Sequence, residues 1–376
     1  MRIAIDARAF SWAGIGRYTR NIIAGLARCE DNHKYVALVS APDAEAFKRF
    51  AAEFPKGKVE MKLVDGSYYS WREQTVFWRQ LAGVRADLWH FTHFNVPVFF
   101  RGPYVVTVHD VTRFIFPGQR RQGLKQQIAY EYVFKRAIEG ARAIIAVSQA
   151  TKEALNFLPL QMSDKTTVIY EGVDESFWRP VTGEERQKAR LLIGTNKPYL
   201  LFVGVWMSHK NLDRLIRAFG LLIKKGFDYK LVITGRPKAG WGKVLKLTRT
   251  LSLEQKVIFP GYVPQKLLPA MYAEAACFVW PSLYEGFGLP VLEAAACGAP
   301  VVTSNVSSLP EVMGEAAIYV NPESVVDIAA GVERVMNDDR LRARLTDEGR
   351  ARAQFFKWDK AVEQHLKVYE EATGKR

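Results

Sequence analysis

Cysteine is scarce. Cys29, Cys277 and Cys297 are the only three in 376 residues, and they stand far apart. That excludes a disulfide framework and a cysteine zinc site, and it fits buried thiols in a reducing compartment. No stretch approaches the ~18 consecutive apolar residues of a spanning helix. The start, Met1-Arg-Ile-Ala-Ile-Asp6, leads into no apolar signal region. The expectation is a soluble, cytoplasmic chain. Repeats of short period and low-complexity tracts are missing. Asp-x-Asp, a common way to hold a divalent ion on a diphosphate, occurs nowhere. The dinucleotide fingerprint G-x-G-x-x-G fails as well, because Thr19 takes its last position after Gly14 and Gly16. No acidic residue follows at the end of the next strand, so a nicotinamide cofactor is disfavoured. His90 and His93 find no third ligand at workable spacing, so no metal site is expected.

What is present is a long, balanced, strongly basic chain. It is 48% hydrophobic and 24% charged, with a formal net charge of +14. Its length suits two domains with real cores. Strand and helix patterns alternate from end to end, which predicts an α/β fold of two doubly wound parallel-sheet, Rossmann-like domains facing across a cleft. The boundaries read as 1–172, a linker at 173–182 within Glu171-Gly-Val-Asp-Glu-Ser-Phe-Trp-Arg-Pro180, 183–354, and a last helical segment at 355–376. In the first half, Ala13–Gly16 reads as a tight turn before a helix over Arg17–Arg28. Helices are also expected at Ala44–Phe54 and Gln122–Ala141. Leu88–Phe91 and Tyr104–Val108 read as strands, each ending in a polar loop with histidine.

One stretch is densely basic. Arg113, Arg120, Arg121, Lys125, Lys135 and Arg136 face only Glu131. An anionic membrane surface, an acidic polymer or a phosphate-linked lipid would fit it, as would a merely solvated helix face. Tyr130, Tyr132 and Phe134 read as the buried side of the same helix, not as stacking platforms for nucleic acid.

The chain is organised around Pro281-Ser-Leu-Tyr-Glu-Gly-Phe-Gly-Leu-Pro-Val-Leu-Glu-Ala-Ala-Ala-Cys-Gly-Ala-Pro-Val-Val-Thr-Ser304. It follows the apolar run Cys277–Trp280, which reads as a buried parallel strand. A turn with Gly286 and Gly288 comes next. Pro290 suits a first helical position, and Gly298 suits the stop after a helix over Val291–Cys297. Glu285 then lies on the loop and Glu293 on the first helical turn. Both sit at the carboxyl edge of a parallel sheet, where such sheets bind ligands. A carboxylate accepts both hydroxyls of a vicinal diol, and free N–H groups at a helix start suit a phosphate. The plain alternative is a Glu293 that only favours the helix dipole and a Glu285 that is merely exposed.

Three further candidates stand at strand ends. Lys210, in Gly204-Val-Trp-Met-Ser-His-Lys-Asn211, could hold a diphosphate as a point charge, or be an ordinary loop lysine. Gly14 and Gly16 would let backbone approach a phosphate. His109 could contact a sugar hydroxyl, or simply pair with Asp110.

These residues resemble the retaining family-4 glycosyltransferases of GT-B fold. Glu285-x7-Glu293 in its setting looks like their Glu-x7-Glu signature. Ile5-Asp6-Ala7-Arg8 with Gly14-Ile-Gly-Arg-Tyr18 looks like the start of the mannosyltransferase branch. Thr107-Val-His-Asp110, Ala146-Val-Ser-Gln149, Glu171-Gly-Val-Asp174, Gly261-Tyr-Val-Pro264 and Ser308-Leu-Pro-Glu311 match further blocks. The resemblance implies that Glu293 binds the donor ribose and Glu285 the donor sugar. Lys210 would neutralise the diphosphate, helped by the backbone of Phe287, Gly288 and Leu289. Gly16 would lie against the diphosphate from the other domain, His109 would contact the donor sugar, and the last helix would cross back to the first domain. Where many relatives carry an arginine, this chain has His209 before Lys210 and Val205-Trp206 after Gly204. Arg236, in Thr234-Gly-Arg-Pro, is the candidate replacement.

The expected activity is hexose transfer, with GDP-mannose the preferred donor, to a saccharide or lipid-linked saccharide, without a metal cofactor. The implied setting is cytoplasmic, with possible peripheral contact to an anionic membrane through Arg113, Arg120, Arg121 and Lys125, and with no nucleic-acid partner. The alternatives are a GT-B sugar-nucleotide epimerase or hydrolase using His109-Asp110 as an acid/base pair, and a non-catalytic polyanion or membrane binder.

Overall fold

The computed structural model describes residues 1–116, 123–160, 165–235 and 241–374. The chain forms two compact units. One runs from Met1 to Gly172 and takes in the C-terminal segment from Trp358; the other spans Val173–Lys357.

Among the described residues the first unit holds seven parallel strands: β1 (Arg2–Asp6), β2 (Lys34–Ser40), β3 (Val59–Val64), β4 (Leu88–Phe91), β5 (Tyr104–Val108), β6 (Ala143–Ala146) and β7 (Thr166–Val168). Their order is β3-β2-β1-β4-β5-β6-β7. β1 is central and apolar on both faces, with Ile3, Ala4 and Ile5 fully buried, as a strand covered by helices on both sides requires. Strand order reverses between β1 and β4. The second unit repeats the plan with β8 (Tyr199–Val203), β9 (Lys230–Thr234), β10 (Val257–Gly261), β11 (Cys277–Trp280), β12 (Val301–Ser304) and β13 (Ile318–Val320). Their order is β10-β9-β8-β11-β12-β13, reversing between β8 and β11. Open parallel sheets of this kind bind ligands outside the carboxyl ends of the strands at the reversal.

The last helix, Trp358–Thr373, is part of the first unit's core. Trp358, Ala361, Val362, Val368, Tyr369 and Ala372 pack with Ile22 and Leu26 of helix Gly14–Arg28. Gly25 allows the close crossing, since a Cβ there would stand 2.3 Å from Val362 Cγ2. Among the described residues no helix is long and apolar enough to cross a membrane.

Several local expectations change. The segment read as a turn at Ala13–Gly16 is already the N-cap and first turn of helix Gly14–Arg28. Helix Ala44–Ala51 stops three residues before Phe54. Before β4 the chain forms a π-helical stretch, Glu73–Phe77, in which Glu73 is buried. Helix Leu124–Gly140 buries Tyr130 and Phe134, but Tyr132 is exposed, as is Ile128 one turn away. His90 lies inside β4, within the strand expected at Leu88–Phe91, and His93 of the loop that follows is buried as well.

Candidate active site

β8 and β11 are hydrogen-bonded neighbours, so their carboxyl-end loops emerge side by side. The β8 loop ends in a single 3-10 turn, Ser208–Lys210, and then in Asn211 at φ 62°, ψ 33°. Asparagine tolerates this left-handed conformation better than most residues. Asn211 Nδ2 donates to the carbonyls of Pro281 at 2.9 Å and Pro322 at 2.6 Å. The His209 carbonyl accepts from Ser282 Oγ at 2.9 Å and Leu283 N at 2.7 Å. The two loops are thereby tied together on both sides of Lys210.

The tie brings Lys210 onto Glu285. Its Nζ lies 2.6 and 2.7 Å from the two carboxylate oxygens. Trp280 Nε1 donates to Oε1 at 2.9 Å, and the Lys210 ammonium sits 5.0 Å from the Trp280 ring centroid. Trp280 is itself stacked against Phe202 at 4.7 Å and Phe278 at 5.8 Å. Gly204 makes room for it, because a Cβ there would meet Trp280 at 2.7 Å. Glu285 is only 9% exposed, so it is no loose surface carboxylate.

The loop after Glu285 is held from β12. Glu285 N donates to Ser307 Oγ at 3.0 Å, and Ser308 Oγ donates to the carbonyls of Glu285 and Phe287 at 3.1 and 2.7 Å. Gly288 has φ 110°, which a side chain would strain, and a Cβ there would also press to 2.9 Å of Leu309. Helix Leu289–Ala296 begins two residues before the expected start, so Pro290 is its second residue and Glu293 falls in its second turn. Glu293 is buried at 3% exposure, with Tyr272 Oη donating to Oε2 at 3.1 Å. A second-turn carboxylate lies past the reach of the helix-end dipole. Burial pushes the Cys297 thiol at the end of this helix up to about 12, which keeps it an inert packing group.

His109, Gly14 and Gly16 belong to the first unit. His109, just beyond β5, has both ring nitrogens engaged: Nδ1 lies 3.1 Å from Glu171 Oε1 and Nε2 lies 2.9 Å from the Thr92 carbonyl. A carbonyl only accepts, so Nε2 is the donor to Thr92. Asp110 is not its partner; Oδ1 of Asp110 accepts from Thr112 N at 2.8 Å. The His109-Asp110 couple of the epimerase or hydrolase alternative is therefore not formed. A Cβ at Gly16 would stand 2.5 Å from the Ala9 carbonyl oxygen and 2.6 Å from that of Phe10, whereas Gly14 faces open space. Gly16 thus answers a packing demand inside its own unit. Asp6 and Arg8 of the opening motif also turn inward. Arg8 Nη2 meets Asp6 Oδ2 at 2.8 Å and its Nη1 meets Glu73 Oε1 at 3.0 Å, with all three side chains buried. Burial raises Glu73 from the usual carboxylate range, against the opposing pull of Arg8.

On the basic stretch, Arg113 lies 4.0 Å from the Tyr130 ring centroid, and Lys125 is exposed. Arg120, Arg121 and Arg236 lie outside the described residues. Among the described residues no group of three His, Cys, Asp or Glu could hold a metal ion.

Residues 183–352 match the family model described as glycosyl transferases group 1, and residues 12–177 match that of glycosyltransferase family 4. O-antigen chain mannosyltransferase B of Escherichia coli is 33% identical over 273 residues, covering 70% of this chain and 69% of that protein. The chain belongs to the family-4 glycosyltransferases. Among solved structures, sucrose-phosphate synthase of Thermosynechococcus elongatus superposes with TM-score 0.79 at 19% identity, covering 100% of this chain and 99% of that one. Anabaena HepE, solved with UDP-glucose, gives 0.78 at 19% identity, covering 99% and 100%. The glycosyltransferase has the GT-B fold, with two Rossmann-like domains.

Sequence reasoning missed three supports of the Lys210–Glu285 pair, Trp280, Asn211 and the Ser307-Ser308 pair, and in the first unit it missed Glu171 beside His109. Asn211 had a local signal, an Asn directly before a helix. Ser308 stood in a matched block without a role. Trp280 looked like one more residue of a buried strand, and nothing local marked Glu171 as the partner of His109.

Proposed function

We propose that this glycosyltransferase moves mannose, with retention at the anomeric carbon and without a metal ion, from GDP-mannose to a saccharide or lipid-linked saccharide. The observation that carries the reading is the buried Lys210–Glu285 pair at the sheet reversal, beside the turn that opens helix Leu289–Ala296. A buried ion pair adds little net stability over apolar packing, so its retention at a ligand edge favours a chemical role.

In this reading the diphosphate lies on the amides of Phe287, Gly288 and Leu289, where the helix start favours negative charge. One N–H of the Lys210 ammonium remains beyond the two directed at Glu285, and it meets a phosphate oxygen. As the diphosphate departs from the front face, negative charge grows on it and an oxocarbenium-like sugar forms. Interactions that strengthen with that charge lower the barrier. Glu285 accepts from hydroxyls of the transferred sugar and Glu293 from the ribose. His109 is assigned to a sugar hydroxyl, for which it would release the Thr92 carbonyl. The mannosyl donor is supported by the mannosyltransferase relative. Exposed Ile128 and Tyr132, three and seven residues beyond exposed Lys125 on helix Leu124–Gly140, support docking of this face on an anionic membrane.

A UDP-sugar is the competing donor, because the Anabaena structure holds UDP-glucose. Thermal shift with GDP, UDP and dTDP separates them, since a ligand at 100 times its Kd adds about 2.7 kcal/mol to the folded state. GDP is expected to raise Tm most, and GDP-mannose turnover is expected to persist in EDTA. A larger shift with UDP would overturn the guanosine donor, and complete loss of turnover in EDTA would overturn metal independence.

A further inference from the structure

Behind His109 lies a polar chain that the transfer reaction does not use, and its hydrogens can be ordered. His365, in the last helix, has Nδ1 2.7 Å from the Ala361 carbonyl. That nitrogen must donate. Burial pushes His365 down to about 4, so the ring is neutral and Nε2 accepts. The Tyr18 hydroxyl, 2.6 Å from Nε2, therefore donates to it. Tyr18 has then spent its one hydrogen and accepts from Thr107 Oγ1 at 2.8 Å. Thr107 in turn accepts from His90 Nε2 at 2.8 Å. His90, also lowered by burial, offers Nδ1 to the Tyr369 hydroxyl at 2.7 Å.

The chain thus runs one way, from Tyr369 to His90, Thr107, Tyr18, His365 and the Ala361 carbonyl. It begins and ends on helix Trp358–Thr373 and passes through β4, β5 and helix Gly14–Arg28 on the way. All five side chains are buried. Tyr18 is the member that reaches outward. Its ring meets the His109 imidazole edge to face, with centroids 4.7 Å apart and planes at 88°. His109 is then fixed on three sides, by Glu171, by the Thr92 carbonyl and by Tyr18.

We propose that Tyr18 is a positioning residue for His109, and that the C-terminal helix holds Tyr18 in place through this chain. The proposal rests on the reading of His109 as a sugar-contacting group. It gives the last helix a task in turnover that apolar packing alone would not. Tyr369 is the link farthest from His109 along the chain. Tyr369→Phe keeps the ring and removes only the first donor.

The test reads the imidazole nitrogen signals of histidine-labelled protein, which has six histidines; His109→Gln assigns the signal of interest. In Tyr369→Phe the signals of His90, His365 and His109 are all expected to move. Movement of His90 and His365 with His109 unchanged would overturn the proposal, because the chain would then tie down the helix and nothing more. Tyr18→Phe, which keeps the ring contact and drops the hydroxyl, is the second variant if the first is unstable, with the same expectation. For turnover, GDP release from GDP-mannose with octyl α-mannoside is measured. Both variants are expected to lower kcat by roughly three- to tenfold, as small misplacements do, with the KM for GDP-mannose unchanged. In a His109→Ala background neither is expected to lower it further. Full additivity there would overturn the positioning role while leaving His109 its own. Wild-type turnover in His109→Ala would overturn the reading of His109, and the proposal with it.

Discussion

Lys210 and Glu285 should not behave alike when removed, although each is the other's partner. The ammonium touches both carboxylate oxygens, at 2.6 and 2.7 Å, and the two side chains are only 16% and 10% exposed. Two unit charges about 4 Å apart attract by roughly 4 kcal/mol at an effective dielectric of 20, before desolvation is subtracted. In Lys210→Ala the carboxylate stays in place, held by Trp280 Nε1, with its charge uncompensated beside the expected diphosphate. Donor binding and catalysis should both suffer. In Glu285→Ala the ammonium is released and can turn wholly to the phosphates. Affinity for GDP should hold or improve, while kcat falls by ~10²-fold for want of one preorganised contact.

The double variant completes the argument. With the stranded carboxylate gone, GDP affinity should recover part of what Lys210→Ala lost. The coupling should fall in the 0.5–3 kcal/mol range typical of charged neighbours. Calorimetric titration of GDP into the four proteins measures it, and GDP-mannose turnover gives the kcat side. Additivity of the two single changes to within ~0.5 kcal/mol would refute the idea that the pair acts as one unit. Near-wild-type turnover in either single variant would remove that residue from the mechanism.

Two further predictions concern the first unit. His365 titrates near 6.5 when unfolded and is pushed down to about 4 when buried, so the folded state prefers the neutral ring. At 1.36 kcal/mol per pH unit its contribution is about 3 kcal/mol, fully present above pH 6.5 and lost as pH falls toward 4. The acid shift of the urea midpoint should be smaller in His365→Gln, and an unchanged shift would refute the assignment. At the turn of helix Gly14–Arg28, Gly16→Ala should destabilise the apo protein, because its Cβ would meet two carbonyl oxygens at 2.5 and 2.6 Å, while Gly14→Ala should be nearly neutral. Equal unfolding midpoints for the two variants would contradict the packing explanation.

Much of the architecture was legible because it depends on short-range patterns. Apolar runs such as Cys277–Trp280 are buried on both faces, and the alternation with helices leaves parallel sheets as the consistent outcome. Helix starts were harder. Gly14-Ile-Gly16 carries two poor helix formers, and tertiary contact with Ala9 and Phe10 overrides their propensity. The exposed Tyr132 shows the limit of reading a face from one helix alone, since what covers a face is decided elsewhere in the chain.

The site divides along the same line. The residue types of Glu285, Glu293 and Lys210 could be picked out, because charge at a glycine-flanked strand end has no packing use. Their pairing could not. Lys210 reaches Glu285 only because Asn211 takes a left-handed conformation and bridges to Pro281 and Pro322, across 70 and 111 residues of sequence. His109 turns from adjacent Asp110 to Glu171, 62 residues away. Spacing put Glu285 on the loop and Glu293 on the first helical turn, both at the sheet edge. In the folded chain Glu285 is held by an ammonium and an indole N–H, whereas Glu293 lies a turn deeper against Tyr272. A carboxylate compensated by a lysine ammonium can exchange that cation for substrate, while the one lodged in the helix body is held by a tyrosine hydroxyl. This difference favours Glu285 as the group that responds during the reaction and Glu293 as a fixed reader of the part that does not react.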